Sequence, residues 1–149
     1  HAHEVATVAY RYPPARIPQR GYFVGPVIVT DVPRRHSMAT EELFGPLLCG
    51  FRASTFGEAL ALANTSAYAL TGGVYSRSLS HIEQAKREFD VGNLYINRPI
   101  TGALGGRQPF GGHRLSGLGT KAGGPDYLLQ LLLPKTICEN TTRHGMPLE

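Results

Sequence analysis

Cysteine is scarce: Cys49 and Cys138 are the only two, far apart in the chain. Two thiols make neither a disulfide framework nor a zinc site, and a reducing, intracellular setting is the expectation. Long apolar runs are missing. The longest, Leu128-Leu129-Gln130-Leu131-Leu132-Leu133, is too short to span a bilayer. No basic head followed by an apolar stretch opens the chain, so no secretory leader is expected and the expected localisation is cytoplasmic. Long basic runs are missing too. The formal net charge of +4 is spread thinly over residues such as Arg16, Arg34, Arg35, Lys86, Arg107 and Lys121. That fits a solvated surface better than a nucleic-acid footprint. The six histidines show no ligand spacing, and no metal site is expected. Asn64-Thr65-Ser66 and Asn140-Thr141-Thr142 match the glycosylation pattern, but without a leader both read as chance.

What is present is enough for one domain: 149 residues of ordinary globular composition, with 18 glycines and 11 prolines. Residues 1–20 are mixed and broken by Pro13, Pro14 and Pro18, with a short strand expected over 5–10. Residues 21–30 are rich in β-branched and aromatic side chains and read as one or two strands, bent at Pro26. A turn at 31–36 and a short helical turn at 37–42 follow. Then an alternation begins. A strand is expected at 47–52. Thr55-Phe56-Gly57-Glu58 is a capping box, followed by Phe56, Ala59, Leu60 and Ala63 at helical spacing. A glycine-rich strand at 70–75 implies close approach by other backbone. Ser80-His81-Ile82-Glu83 is a second capping box. Ile82, Ala85 and Phe89 give its helix an apolar face, and Glu83 stands four residues before Arg87. A third strand is expected at 92–97. Strand, helix, strand, helix, strand with short connections predicts an α/β fold, a parallel sheet with crossover helices.

Residues 98–124 break this pattern. They are glycine-rich, with too few apolar side chains for a helix or sheet, and a loop this long in a compact domain is usually functional. Gly124-Pro125-Asp126 suits a helix start leading into 127–132, and Pro134 ends it. Residues 135–139 read as a terminal strand of the kind that joins a partner's sheet.

Chemistry-bearing residues are few. Gly117-Leu118-Gly119-Thr120-Lys121-Ala122-Gly123 has the wrong spacing for a phosphate loop or a dinucleotide fingerprint. Cys49 lies in an apolar strand, where a thiol is inert, and neither cysteine has a neighbour in sequence that would activate it. His113 reads as a satisfied loop histidine. Two stretches remain. In Thr40-Glu41-Glu42-Leu43-Phe44-Gly45-Pro46, two carboxylates and an aromatic stand at the mouth of a strand, placed to meet a ligand. The plain alternative is a solvated Glu pair and a core Phe. In Asn97-Arg98-Pro99-Ile100-Thr101-Gly102-Ala103, small residues leave amides uncovered as an anion nest suited to a carboxylate. Phe110, in Gln108-Pro109-Phe110-Gly111-Gly112, is placed to wall a small pocket.

Glu41-Glu42-Leu43-Phe44-Gly45-Pro46, the Gly92-Asn93-Leu94-Tyr95-Ile96-Asn97 strand and Gln108-Pro109-Phe110-Gly111-Gly112 with Ser116-Gly117 together resemble the aldehyde dehydrogenase superfamily. Residues 97–103 and Lys121-Ala122-Gly123-Gly124-Pro125-Asp126-Tyr127-Leu128 resemble more narrowly its delta-1-pyrroline-5-carboxylate dehydrogenase branch. That branch oxidises glutamate semialdehyde to glutamate with NAD, alone or within a bifunctional proline-oxidising protein. The resemblance covers about residues 21–142. It implies a small-molecule substrate, NAD as cofactor, and a homo-oligomer without nucleic acid. In the family a thiolate attacks the aldehyde, hydride passes to NAD, and a Glu-activated water hydrolyses the thioester. The family's catalytic Cys, general-base Glu and cofactor domain precede the Glu-Glu-Leu-Phe-Gly-Pro segment. The expectation is therefore a C-terminal piece with no catalytic residue of its own and no turnover alone.

Carried over by matching position, the resemblance implies that Glu42 accepts hydrogen bonds from the nicotinamide ribose and Phe44 packs beside the nicotinamide. It implies that the Gly102 and Ala103 amides hold the substrate carboxylate, with Thr101 assisting, and that Phe110 lines the aldehyde pocket. The expected organisation is a weakly matching segment at 1–20, the catalytic-domain piece at 21–133, an oligomerisation strand at 134–142 and a tail at 143–149. Leu148-Glu149 in that tail is the kind of pair a cloning scar leaves. Gly105-Gly106 and His113 depart from the branch's pattern, and the glycines imply a more mobile substrate loop. The alternatives are an aldehyde dehydrogenase for another substrate, or a non-catalytic oligomerisation or binding module.

Overall fold

The computed structural model describes residues 5–141. His1, His3 and the expected tail at 143–149 lie outside the described residues. Among the described residues, three small sheets, three named α-helices and two 3-10 turns make up the architecture. Strand β1 (Thr7–Arg11) pairs antiparallel with β2 (Val27–Thr30), Thr7 opposite Thr30, with an irregularity between Val8 and Tyr10. β2 starts directly after Pro26, which has no amide to donate to a ladder. It pairs on its other side, in parallel, with β3 (Leu47–Gly50), Val27 opposite Leu47. The connection between them carries the single-turn helix α1 (Ser37–Thr40), capped by His36 Nδ1 accepting from the Met38 amide at 3.2 Å.

Helix α2 (Phe56–Ala63) starts where the Thr55 capping box predicts. Thr55 Oγ1 accepts from the Glu58 amide at 3.1 Å, while the Glu58 carboxylate accepts from Ser54 N–H at 2.8 Å. That amide bond, with Arg34 next to it, holds the Glu58 carboxyl below the usual range. Then come β4 (Tyr68–Ala69), β5 (Thr71–Val74), helix α3 (Leu79–Glu88) and β6 (Asn93–Ile96). β5 and β6 pair in parallel with α3 as their crossover, and β4 pairs antiparallel with β7 (His113–Arg114).

Several expectations are corrected. The strands at 47–50 and 71–74 do not share a sheet: β3 gives its ladder to β2, whose β-branched residues match it. Helix α2 instead buries Leu60 against Val74 of β5 and Ala85 of α3, with Phe56, Phe89, Leu94 and Ile96 packed around them. The Phe56 ring stacks on His81 with centroids 4.3 Å apart. The cap of α3 is Ser78, whose Oγ accepts from the His81 amide at 3.4 Å, not Ser80; the earlier serine reaches the third amide first. Glu83 pairs with Lys86 at 2.6 Å instead of Arg87. The glycines of β5 admit side chains, not backbone: a Cβ at Gly72 would lie 2.6 Å from Phe89 Cζ, and one at Gly73 2.6 Å from Ile100 Cγ2. The helix expected at 127–132 is a five-residue 3-10 turn, Tyr127–Leu131, whose Asp126 cap makes no side-chain bond. Residues 135–139 pair with no strand among the described residues of this chain.

The core is thin. Among the described residues, only Val29, Val32, Leu60, Ala69, Val74, Ala85 and Tyr95 are buried apolar residues. The accessible surface is 12065 Å², about 1.6 times the ~7,400 Å² that size scaling gives for a folded monomer of this mass. Leu128, Leu129, Leu131, Leu132 and Leu133 are all exposed. Among the described residues, no helix is long and apolar enough to cross a membrane.

Close backbone approach holds the rest of the chain against β6. A Cβ on Gly92 would fall on the carbonyl oxygen of Gly111 and lie 2.7 Å from Gly112 Cα. Gly92→Ala is therefore expected to lower stability by about 3 kcal/mol, as overpacking against fixed backbone does. Gly105→Ala, where nothing lies within 4 Å, is expected to change it by less than about 0.5 kcal/mol. Urea denaturation of the two variants checks the contrast.

Candidate functional site

Asn97 turns the chain out of β6 at φ 53, a left-handed conformation that Asn tolerates. Its Oδ1 accepts from Ser76 N–H at 2.8 Å and its Nδ2 donates to Ser76 O at 3.0 Å, tying the ends of β5 and β6 together. Arg98 lies over the Tyr95 ring, 5.2 Å from its centroid. Ile100 seats on Gly73. The loop that follows is thus anchored at its root on β5.

Thr101 and Gly102 are exposed and Ala103 is half-buried. Gly102 and Gly106 sit at φ 81 and φ 77, and neither of them, nor Gly105, has any atom within 4 Å of the place a Cβ would take. The backbone here is uncovered on its side-chain face. Leu104 O closes the turn by accepting from Arg107 and Gln108 N–H at 3.1 and 2.9 Å. The chain then runs back beside residues 122–123: Gly106 N–H donates to Gly123 O at 2.6 Å, and Phe110 and Ala122 exchange bonds of 2.9 and 2.8 Å. Residues 101–103 and the half-buried Phe110 therefore flank the 104–108 turn, and it is residues 106–110 that run beside 122–123; no backbone bond joins 101–103 to Phe110 among the described residues.

Glu42 and Phe44 lie elsewhere, on the segment entering β3. Both are exposed, Phe44 at 93%, so the core-Phe alternative is corrected. Phe44 is held at φ 44, a conformation costing a bulky residue on the order of 1–3 kcal/mol. Pro46 O accepts from Val27 N–H at 2.9 Å and pins the segment to β2. No hydrogen bond, ion pair or ring contact joins Glu42 or Phe44 to residues 101–110 among the described residues. A groove of about 710 Å³ opens between α1, Phe51 and α2, rimmed by Arg34 and Arg35, and a hollow of about 330 Å³ lies under Pro109, Lys121 and Tyr127. None of the six sequence-predicted site residues lines either.

Cys49 is half-buried in β3. Burial raises its thiol pKa, and Sγ donates to Met38 O at 3.2 Å, so it stays protonated at neutral pH. No cluster of three metal-ligating side chains occurs among the described residues. His113 is satisfied, its Nε2 2.8 Å from Asp90 Oδ1. Arg114 also pairs with Asp90 and donates to Asn64 O and Ser66 O at 2.9 and 2.6 Å. Sequence reasoning missed Asn93 and Lys121. The Asn93 side chain grips Pro109 O at 3.0 Å and Gly111 N–H at 3.2 Å. The Lys121 ammonium reaches Gly92 O, Gly111 O and Asn93 Oδ1. The available signal was one long cation among small residues.

The aldehyde dehydrogenase family model matches residues 2–137. Among curated proteins, the chain is 50% identical over 119 residues to 1-pyrroline-5-carboxylate dehydrogenase 1 of Halalkalibacterium halodurans. That match takes in 80% of this chain and 23% of the relative. It is 49% identical over 120 residues to 1-pyrroline-5-carboxylate dehydrogenase 2 of Bacillus subtilis, with the same shares. Among solved structures, the Thermus 1-pyrroline-5-carboxylate dehydrogenase with bound NAD matches with TM-score 0.79 and 49% identity, over 86% of this chain and 24% of that one. Proline utilization A from Bdellovibrio bacteriovorus matches with TM-score 0.85 and 46% identity, over 99% and 15%. The chain spans less than a quarter of the length of these curated relatives.

The Arg114 and His113 bonds hold the Asp90 carboxyl below its usual range. A carboxyl depressed in the folded state adds stability above its unfolded pKa, about 3.9, and loses it as pH falls through the folded value. Asp90→Asn should therefore lower the melting temperature at pH 7, with the gap to the parent closing below about pH 4. Thermal melts across pH check this; a gap that persists at pH 2 would contradict it.

Proposed function

The chain belongs to the aldehyde dehydrogenase family, and on that premise we propose that it supplies the substrate-holding and cofactor-holding loops of a longer, NAD-dependent enzyme. Its substrate is L-glutamate semialdehyde, the open form of 1-pyrroline-5-carboxylate, and its product is glutamate. The observation that carries the reading is the open space on the side-chain face of Gly102 and Gly105, on a loop anchored by Asn97 and Ile100. Amides without side-chain cover are the donors a carboxylate needs. The names of two relatives at 49–50% identity, both 1-pyrroline-5-carboxylate dehydrogenases, support the same substrate.

In this reading the Gly102 and Ala103 N–H groups hold the substrate carboxylate, with the Thr101 hydroxyl as an added donor. Phe110 on the returning limb walls the aldehyde chain. The residues at the β3 mouth fit the cofactor: Phe44 is an aromatic face kept in solvent at a conformational cost, and Glu42 is a free acceptor for ribose hydroxyls. NAD, when bound, accepts hydride. All of these are positioning roles, and misplacement by about 1 Å costs on the order of 10²-fold in rate. The reactive thiol and the general base belong to another part of the enzyme, so the 149 residues alone do not turn over. A cytoplasmic setting fits the two free thiols.

In the full-length enzyme, Gly102→Val is expected to lower kcat/KM for glutamate semialdehyde about 10²-fold and to affect acetaldehyde far less. Equal losses on both substrates would refute carboxylate recognition here. Phe44→Gly should relieve the left-handed strain, raising stability by about 1 kcal/mol, while raising KM for NAD about tenfold; an unchanged KM for NAD would remove Phe44 from the cofactor site. The exposed leucines at 128–133 and the chain beyond them should drive self-association of the isolated chain. Light scattering should give a mass above 16.1 kDa, and a lone monomer would count against it.

A further inference from the structure

We infer that Lys121, acting with Asn93, is the residue that fixes the position of Phe110, and so sets the shape of the aldehyde pocket without touching substrate. This deepens the reading above and rests on it where it speaks of the pocket. Phe110 sits in an isolated antiparallel bridge to Ala122, outside the named strands. Its backbone is gripped from two directions. On one side Ala122 exchanges both backbone bonds with it. On the other, the Asn93 amide binds both flanks: Nδ2 donates to Pro109 O at 3.0 Å and Oδ1 accepts from Gly111 N–H at 3.2 Å.

Those two bonds orient the Asn93 amide, with Oδ1 as the acceptor. The Lys121 ammonium reinforces that orientation: it donates to Asn93 Oδ1 at 3.2 Å and also to Gly92 O and Gly111 O. All three ammonium protons are matched by three oxygens. Those oxygens lie on two separate stretches, the start of β6 and the Phe110 turn, while the lysine itself comes from a third, next to Ala122. Gly92 and Gly111 allow these stretches to meet backbone to backbone. A charge-assisted bond of this kind is about twice as strong as a neutral one, and removing the donor leaves half-buried carbonyl oxygens unpaired.

The test uses the full-length enzyme and two readouts. In Lys121→Met, amide hydrogen exchange in peptides covering 104–115 should speed up at least tenfold, with peptides covering β5 and α3 unchanged. In the same variant, KM for glutamate semialdehyde should rise at least tenfold, with KM for NAD unchanged. Lys121→Arg, which keeps charge and N–H donors, should recover part of both, and it carries the two measurements if Lys121→Met fails to fold. Exchange that accelerates uniformly over the chain, or not at all, overturns the clamp. Local acceleration with unchanged aldehyde kinetics overturns the positioning role while leaving the clamp standing. An enzyme inactive on every aldehyde before mutation defeats the functional reading, and the exchange result then decides the clamp alone.

Discussion

Backbone lying directly on backbone at Gly92, with a lysine ammonium across the join, is the constraint on which the rest of the structure depends. Because Gly92 has no Cβ, Gly111 and Gly112 come within van der Waals contact of the start of β6, and because Gly111 has none, that stretch lies against Thr120 and Lys121. That contact brings Pro109 O and Gly111 N–H within reach of one asparagine. It also lets Lys121 satisfy carbonyls that no helix or sheet would pair. The regular elements beneath are modest: two parallel strands, one crossover helix and a core centred on Leu60, Val74 and Ala85. They serve as a platform, and the loop gains its shape from polar bonds at its root and its return.

The local signals in the sequence carried a good part of this. The Thr55 cap, the apolar spacing of α2 and α3 and the β5–α3–β6 crossover were all legible, because each depends on residues within a few positions of each other. The pairing of β3 was not. Nothing in residues 47–50 says that 27–30 will take its edge in preference to 71–74, since both are short and β-branched or small. Ser80-x-x-Glu83 misled because a serine two residues earlier competes for the same first-turn amides. The terminal strand at 135–139 was read from composition, and among the described residues of this chain it pairs with no other strand.

At the site, the glycines and the lone aromatic marked the two loops, and the structure leaves both accessible. What no pattern indicated was the support behind them. Asn93 and Lys121 are 28 positions apart and meet only after two turns of the chain. Such pairs are invisible to periodicity. The excess of accessible surface and the exposed leucines are found on a chain less than a quarter the length of its curated relatives.

The central claim is that the uncovered amides of the anchored loop receive a carboxylate while Phe44 meets the cofactor. A crystal structure of the full-length enzyme with NAD and glutamate bound tests it most directly. The account predicts one glutamate carboxylate at about 2.9 Å from the Gly102 and Ala103 nitrogens, the Phe110 ring along the ligand's chain and the Phe44 ring beside the nicotinamide. Glutamate held by other amides, with this loop turned to solvent and Phe44 remote from the cofactor, would contradict it.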